Sequence, residues 1–297
     1  MRQHRLQQPP VGRRQLAAGG PRAAGAPSAL LRPERGEGVG GLDEWLDPAF
    51  AKAWTEHGQI TTNPDRLRQV ELLTAAAAAA ADATTPCVLD LACGSGLVTR
   101  ALLGRGLDVV GIDGSAAMLD LAADATAGAT LAQATFEQLA AGAAPPAAAA
   151  ALARGPFGAI TVAQALHEAD DSAVRGLLQW VRRPDVLAPG GVLLVLERYE
   201  LECGGPEAGG VWGAIVAALP DAAPEVDSFH EYAGRYLAGK GDHVRPLAEF
   251  EAMLEDEGYE SQVGITALPC MPALPFSRAL ARCLRLRAPL PRSPHPK

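Results

Sequence analysis

From Cys87 onward the chain alternates short apolar runs with stretches of helical periodicity. Cys87 to Ala92, Asp108 to Ile112, Thr130 to Gln133, Phe157 to Ala163 and Gly191 to Leu196 read as strands, and Leu97 to Leu103, Ser115 to Ala125 and Ser172 to Val181 read as helices between them. The strand runs lack polar alternation, so both of their faces must be covered. Helical crossovers between such strands make a doubly wound α/β layer structure with a parallel sheet. Upstream, Leu42, Trp45, Leu46, Phe50 and Trp54 recur at helical spacing after the Gly-rich Gly36 to Gly41. Asn63-Pro64-Asp65 is a helix start, after which Leu67, Val70, Leu72 and Leu73 form a face running into the polyalanine Ala75 to Ala81. Alanine favours helix but buries little area, so that end is expected to be peripheral. Ala140 to Gly155, low in complexity, reads as a surface linker or a padded helix end. Cys203 to Val244 interrupts the alternation and reads as an insertion over the carboxyl edge of the sheet, before a helix over Leu247 to Leu254 that ends at Gly258.

Composition narrows the class. The 297 residues are 48% hydrophobic and 20% charged, which excludes a disordered polyanion and predicts a water-soluble globule. No apolar run approaches the ~20 residues a membrane-spanning helix requires. Residues 1–33 hold six arginines and no acid, so the net charge of −8 divides into a +6 tail and a −14 remainder. A remainder of that sign would repel nucleic acid, whose binding needs a row of cations on the folded surface. The tail is Arg-rich and acid-free like an organelle transit peptide, which leaves a cytoplasmic or an organellar (chloroplast or mitochondrial) location open. Five scattered cysteines with no Cys-x-x-Cys indicate neither a disulfide framework nor a zinc cage. No acidic cluster has hard-cation spacing, so no metal is expected.

The chemistry is concentrated at Val88-Leu89-Asp90-Leu91-Ala92-Cys93-Gly94-Ser95-Gly96-Leu97. A buried strand ends in an acid, turns through Gly94 and Gly96, and starts a helix, so the backbone can approach a ligand closely. A second strand ends 23 residues later in Asp113, followed by Gly114 and the N-cap candidate Ser115. An acid at that tip suits ribose hydroxyls. A dinucleotide fold would need a third glycine where this chain has Thr99. An acid at the first strand tip suits a ligand with cationic groups.

These residues resemble the class I S-adenosylmethionine-dependent methyltransferases, and within them the small-molecule group called type 11. VLDLACGSG is similar to their first motif, VVGIDGSAAML to the segment around the second strand, AQALHEADD to the end of the fourth, and LAPGGVLLVLE to the turn into the fifth. The resemblance runs from about Asn63 to Gly258. It implies a mostly parallel seven-stranded sheet with helices on both faces, extra N-terminal helices and a lid insertion. It also implies S-adenosyl-L-methionine as cofactor, bound by Asp90, Ala92, Gly94, Ser95, Gly96, Asp113, Gly114, Met118, Thr135, Phe136 and Gln164. Asp90 and the glycine turn would hold the methionine half, Asp113 the ribose, and Met118 would pack on adenine. Thr135 stands where the family often has an acid for the adenine amino group, with Phe136 beside it. Gly158 stands where the family usually has Asp, a change expected to alter a turn.

Methyl transfer from an activated sulfonium asks the protein for proximity, alignment and, for a hydroxyl or carbon acid, removal of a proton. His167 and Glu168, past the fourth strand, are the catalytic candidates, because a histidine with a pKa near ~6.5 takes a proton at neutral pH. The bland reading is that His167 orients a loop and Glu168 caps the next helix. Arg198 and Tyr199 are further candidates on the acceptor side. Trp45, Trp54, His57, Phe229, His230, Tyr232, Tyr236 and His243 are lid or packing residues. No Asn/Asp-Pro-Pro-aromatic phrase follows the fourth strand, which argues against base or glutamine nitrogens and for a small-molecule acceptor. The expected divisions are a basic tail (1–40), N-terminal helices (41–86), the cofactor-binding core (87–200), a substrate-lid insertion (201–246) and a C-terminal helix with closing strands (247–297). Two other readings stay open: a non-catalytic S-adenosylmethionine-binding regulator and a nicotinamide-dependent oxidoreductase.

Overall fold

A computed structural model describes residues 42–58, 66–81, 85–197, 199–200, 243, 245–265 and 282–287. The basic tail, most of the expected insertion, the Asn63-Pro64-Asp65 helix start and Arg198 lie outside them. Short helices α1 (Leu42–Trp45) and α2 (Pro48–Ala53) lead into a π-turn (Trp54–Gly58), and α3 spans Arg66–Ala80. The layered core follows as β1 (Cys87–Leu91), α4 (Leu97–Leu103), β2 (Asp108–Asp113), α5 (Ala116–Ala125), β3 (Thr130–Gln133), α6 (Phe136–Ala140), α7 (Pro146–Leu152), β4 (Phe157–Ala163), a 3-10 turn (Leu166–Glu168), α8 (Asp171–Val181) and β5 (Leu187–Leu196). After these come β6 (Tyr199–Glu200), β7 (Arg245–Pro246), α9 (Leu247–Asp256), β8 (Glu260–Ile265) and β9 (Arg282–Arg287). The sheet order is β3-β2-β1-β4-β5-β9-β8. The first five strands are mutually parallel; β9 runs antiparallel to β5, and β8 antiparallel to β9. β6 and β7 form a separate parallel pair.

Successive residues of a strand face opposite sides, and the core divides accordingly. Val88 of β1 packs with Val70, Leu73, Val98 and Leu102 of α3 and α4 on one face. Leu89 and Leu91 pack with Leu139, Leu177, Leu178 and Phe250 of α6, α8 and α9 on the other. Both faces are buried, which is why the strands read as unbroken apolar runs.

Three expectations need correcting. The polyalanine is not peripheral: Ala77 is fully buried, and α3 lies against α4, β4 and β5, because a methyl side chain lets a helix approach a sheet closely. Ala140 to Gly155 is not merely a linker or a padded end, since it contains α7, whose Ala148 and Ala151 are buried in the core. Gly158 lies inside β4, next to a register shift between Phe157 and Ala159, and not in a turn. A Cβ there would sit 2.5 Å from the carbonyl oxygen of Thr85, so the residue is dictated by close backbone approach.

Candidate functional site

The strand order reverses between β1 and β4: the chain winds outward through β2 and β3, then returns to place β4 on the other side of β1. Crossovers that diverge at this point leave a crevice beyond the carboxyl ends of the strands. A cavity lies there, walled by residues that follow β1, β2, β3 and β4 and by Trp45, Trp54 and Arg66 from the N-terminal helices. Of the expected cofactor residues, Asp90, Ala92, Gly94, Ser95, Asp113, Gly114, Met118, Thr135, Phe136 and Gln164 all line it. Gly96 lies one step behind, as the left-handed N-cap of α4 with φ +82°. A Cβ at Gly96 would come within 2.5 Å of Thr126, which explains the second glycine of the turn.

Two carboxylates form the floor. Asp90 is only 1% exposed, and its oxygens accept from the hydroxyls of Thr99 (2.6 Å) and Thr161 (2.8 Å). Thr99 thus occupies the place of a third glycine with a function of its own. Burial pushes the Asp90 carboxyl up to about 6, against the pull of those two hydroxyls. Asp113 accepts the backbone N–H of Ser115 at 2.8 Å and that of Gly94 at 2.7 Å, so the acid of β2 also closes the glycine turn of β1. Burial raises its carboxyl as well, opposed by these two N–H groups. Ala92 (φ 51°) and Gln164 (φ 54°) are the non-glycine residues with positive φ among those described, and both sit at strand ends on the cavity wall. Strained backbone concentrates where a ligand contact must be aimed.

The remaining walls are mostly apolar or aromatic. The Cε of Met118 lies 3.8 Å from where a Gly94 Cβ would be. Thr135 caps α6 in a reciprocal capping box with Gln138, so its hydroxyl serves the helix while Phe136 faces the cavity. Trp45 packs edge-on against both Phe50 and Trp54, and its carbonyl accepts the hydroxyl of Ser115, the N-cap of α5. This bond holds the N-terminal helices over the tip of β2. Among the described lining residues, Arg66 is the one cation.

The catalytic candidates lie beyond β4. Glu168 lines the cavity, whereas His167 is 1% exposed and sits behind it, with Nε2 3.4 Å from Glu168 Oε1. Its Nδ1 lies 2.7 Å from Glu197 Oε1, and an ionised carboxylate there makes Nδ1 the donor, leaving Nε2 toward Glu168. Glu197 Oε2 also accepts the N–H groups of Ala165 and Leu166. Glu197 is not among the sequence candidates, which at this strand end are Arg198 and Tyr199, although it carries the same signal as Asp90 and Asp113: an acid at the carboxyl end of an apolar strand. Arg66 and Arg245 carried no comparable signal, because arginine is common throughout the chain.

A sequence family described as "Methyltransferase domain" matches residues 88–191. No curated protein matches the chain by sequence. Among solved structures, an O-methyltransferase family protein from Burkholderia thailandensis superposes with a TM-score of 0.55 at 16% identity, covering 87% of this chain and 65% of that one. Human N-acetylserotonin methyltransferase in complex with S-adenosylmethionine gives 0.50 at 13% identity, covering 83% of this chain and 58% of its own. The S-adenosylmethionine-dependent methyltransferase SibL, in its apo form, gives 0.50 at 19% identity, covering 82% and 57%. The chain thus spans about three fifths of the length of these structures, and at such identities the likeness is one of fold. The sequence match begins in β1 and ends in β5, so residues 88–191, with the doubly wound sheet they build, are similar to a methyltransferase domain in both sequence and fold.

Proposed function

We propose that the protein moves the methyl group of S-adenosylmethionine to an oxygen or carbon of a small molecule. The observation that carries this reading is the meeting, in one cavity, of the Asp90–Asp113 floor and the Glu168 carboxylate backed by His167 and Glu197. The residues present fit the cofactor's chemistry: acids for its ammonium and ribose, an apolar wall at Met118 and Phe136 for adenine, and Arg66 as countercharge for its carboxylate. When bound, this cofactor supplies a sulfonium methyl whose carbon–sulfur bond breaks toward sulfur as the acceptor attacks. Asp90 holds positive charge near the methionine half, and Asp113 holds the ribose while keeping the Gly94 turn closed. Glu168 takes the acceptor's proton at the cavity wall, His167 Nε2 supports the transfer, and Glu197 steadies the imidazolium through Nδ1. Trp45 and Trp54 supply aromatic surface for the acceptor. The basic tail, the lid role of 201–246 and the other divisions of the chain are part of the same reading.

Calorimetric titration with S-adenosylhomocysteine, followed by label transfer from S-adenosylmethionine to a panel of phenols, enols and carboxylates, tests it. Binding and transfer are expected. His167→Ala should reduce kcat by about 10²-fold or more, in the usual range for a lost acid–base group, with cofactor affinity kept. No binding at millimolar ligand would overturn the reading, and binding without any transfer would favour a regulator.

A further inference from the structure

Residues Ala165–Ala169 connect β4 to α8 and carry both proton-transfer candidates. Two charged side chains from distant parts of the chain grip this turn by opposite backbone groups. Glu197, just past β5, receives donors: the N–H groups of Ala165 (3.1 Å) and Leu166 (2.6 Å), and His167 Nδ1 (2.7 Å). Arg245 of β7, 8% exposed, supplies donors. Its Nη1 reaches the carbonyls of Leu166 (2.9 Å) and His243 (3.0 Å), its Nη2 the carbonyl of Ala169 (2.6 Å), and its Nε the Asp171 carboxylate (2.6 Å). The N–H of His243 completes the contact by donating to the carbonyl of His167.

A three-residue 3-10 turn satisfies few of its own end groups, and buried carbonyls need donors. Only a planar guanidinium, with five N–H groups in fixed directions, can serve three carbonyls and a carboxylate at once; an ammonium would reach fewer. The negative side chain sits at the amide end of the turn and the positive one at the carbonyl end, so each complements the local dipole. Neither grip extends to the cofactor floor, where Asp90 and Asp113 are held by Thr99, Thr161, Gly94 and Ser115.

We propose that Arg245 is a positioning residue for methyl transfer: by clamping the Leu166 and Ala169 carbonyls it keeps His167 on Glu197 and Glu168 at the cavity wall. This rests on the proton-transfer reading given above. Through Arg245, β7, which pairs with β6, sets the geometry of the turn that follows β4.

Hydrogen exchange of the intact protein, with Arg245→Met and Arg245→Lys, tests the clamp without any need for turnover. Arg245→Met should speed exchange of the Ala165 and Leu166 amides by about tenfold or more while β1 and β2 amides are unchanged, because only a local opening is made easier. Its S-adenosylhomocysteine affinity should stay within about twofold, and kcat should fall by roughly 10²-fold with acceptor KM little changed, as expected for misaligned reacting groups. Arg245→Lys should recover part of that loss, and in a His167→Ala background Arg245→Met should lower kcat no further. Unchanged exchange over 163–171, full kcat, or faster exchange spread evenly over the whole sheet would each overturn the proposal. A fully active His167→Ala enzyme would instead remove the proton-transfer reading, and the exchange pattern would still decide whether Arg245 clamps the turn.

Discussion

Asp90 shows how burial and hydrogen bonds act against each other on one side chain of the cavity wall. Burial is the main cause of its raised pKa of about 6; the hydroxyls of Thr99 and Thr161 act the other way, Asp113 adds to the rise, and Arg66 opposes it. An ordinary aspartic acid titrates near 3.8, so between that pH and about 6 the folded chain holds more protons than the unfolded one. The contribution of this group to stability is therefore greatest below 3.8, declines as pH rises through 6, and is constant above it. A cationic ligand reverses the balance, because it favours the ionised carboxylate. Affinity for S-adenosylmethionine is expected to tighten roughly tenfold from pH 5 to pH 7, a range that spans the titration of the group. In Asp90→Asn the affinity should be weaker and nearly flat over that range; calorimetry at three pH values checks both.

At the scale of elements, two glycines act on different properties. Gly96 caps α4 in the left-handed region and meets Thr126 and Ala122 of the α5 end, so Gly96→Ala strains the backbone and pushes α4 away from α5. The left-handed conformation alone costs about 1–2 kcal/mol for a residue with a Cβ. Loss of both melting temperature and cofactor affinity is expected, since the same turn forms the cavity floor. Gly158 instead lies against the Thr85 backbone, far along β4 from the carboxyl edge. Gly158→Ala should lower the melting temperature while cofactor affinity is retained in the folded fraction. Equal loss of affinity in the two variants would contradict this division, and thermal melts paired with titration measure it.

At the scale of the molecule, the cavity is closed by parts of the chain that are remote in sequence: the N-terminal helices through Trp45, Trp54 and Arg66, and the core through the loops after β1 to β4. A ligand that touches all of them binds only the folded state. S-adenosylhomocysteine at 100 times its Kd should therefore stabilise the fold by about 2.7 kcal/mol. For a domain of this size that corresponds to a rise of about 5–10 °C in Tm, read by differential scanning fluorimetry. NAD at the same concentration should give no rise, because Thr99 and the Asp90 carboxylate occupy the place where a pyrophosphate would need glycine and backbone donors.

The layered α/β class, the five parallel strands and the glycine turn followed from the sequence, because a strand buried on both faces must be apolar throughout and a tight turn at positive φ selects glycine. The place of Asp90 and Asp113 on the cavity wall was legible because an acid at the end of an apolar strand stands out from the residues around it. Glu197 carried that same signature. What only the tertiary structure decided depends on groups that meet across the fold. That His167 lies behind Glu168, that Asp113 closes the turn of another strand, that Gly158 answers to Thr85, and that Arg245 reaches a turn more than 70 residues earlier are all non-local. Local periodicity encodes which face of an element is buried, whereas hydrogen-bond partners are set by the packing of elements whose order in the sheet differs from their order in the chain.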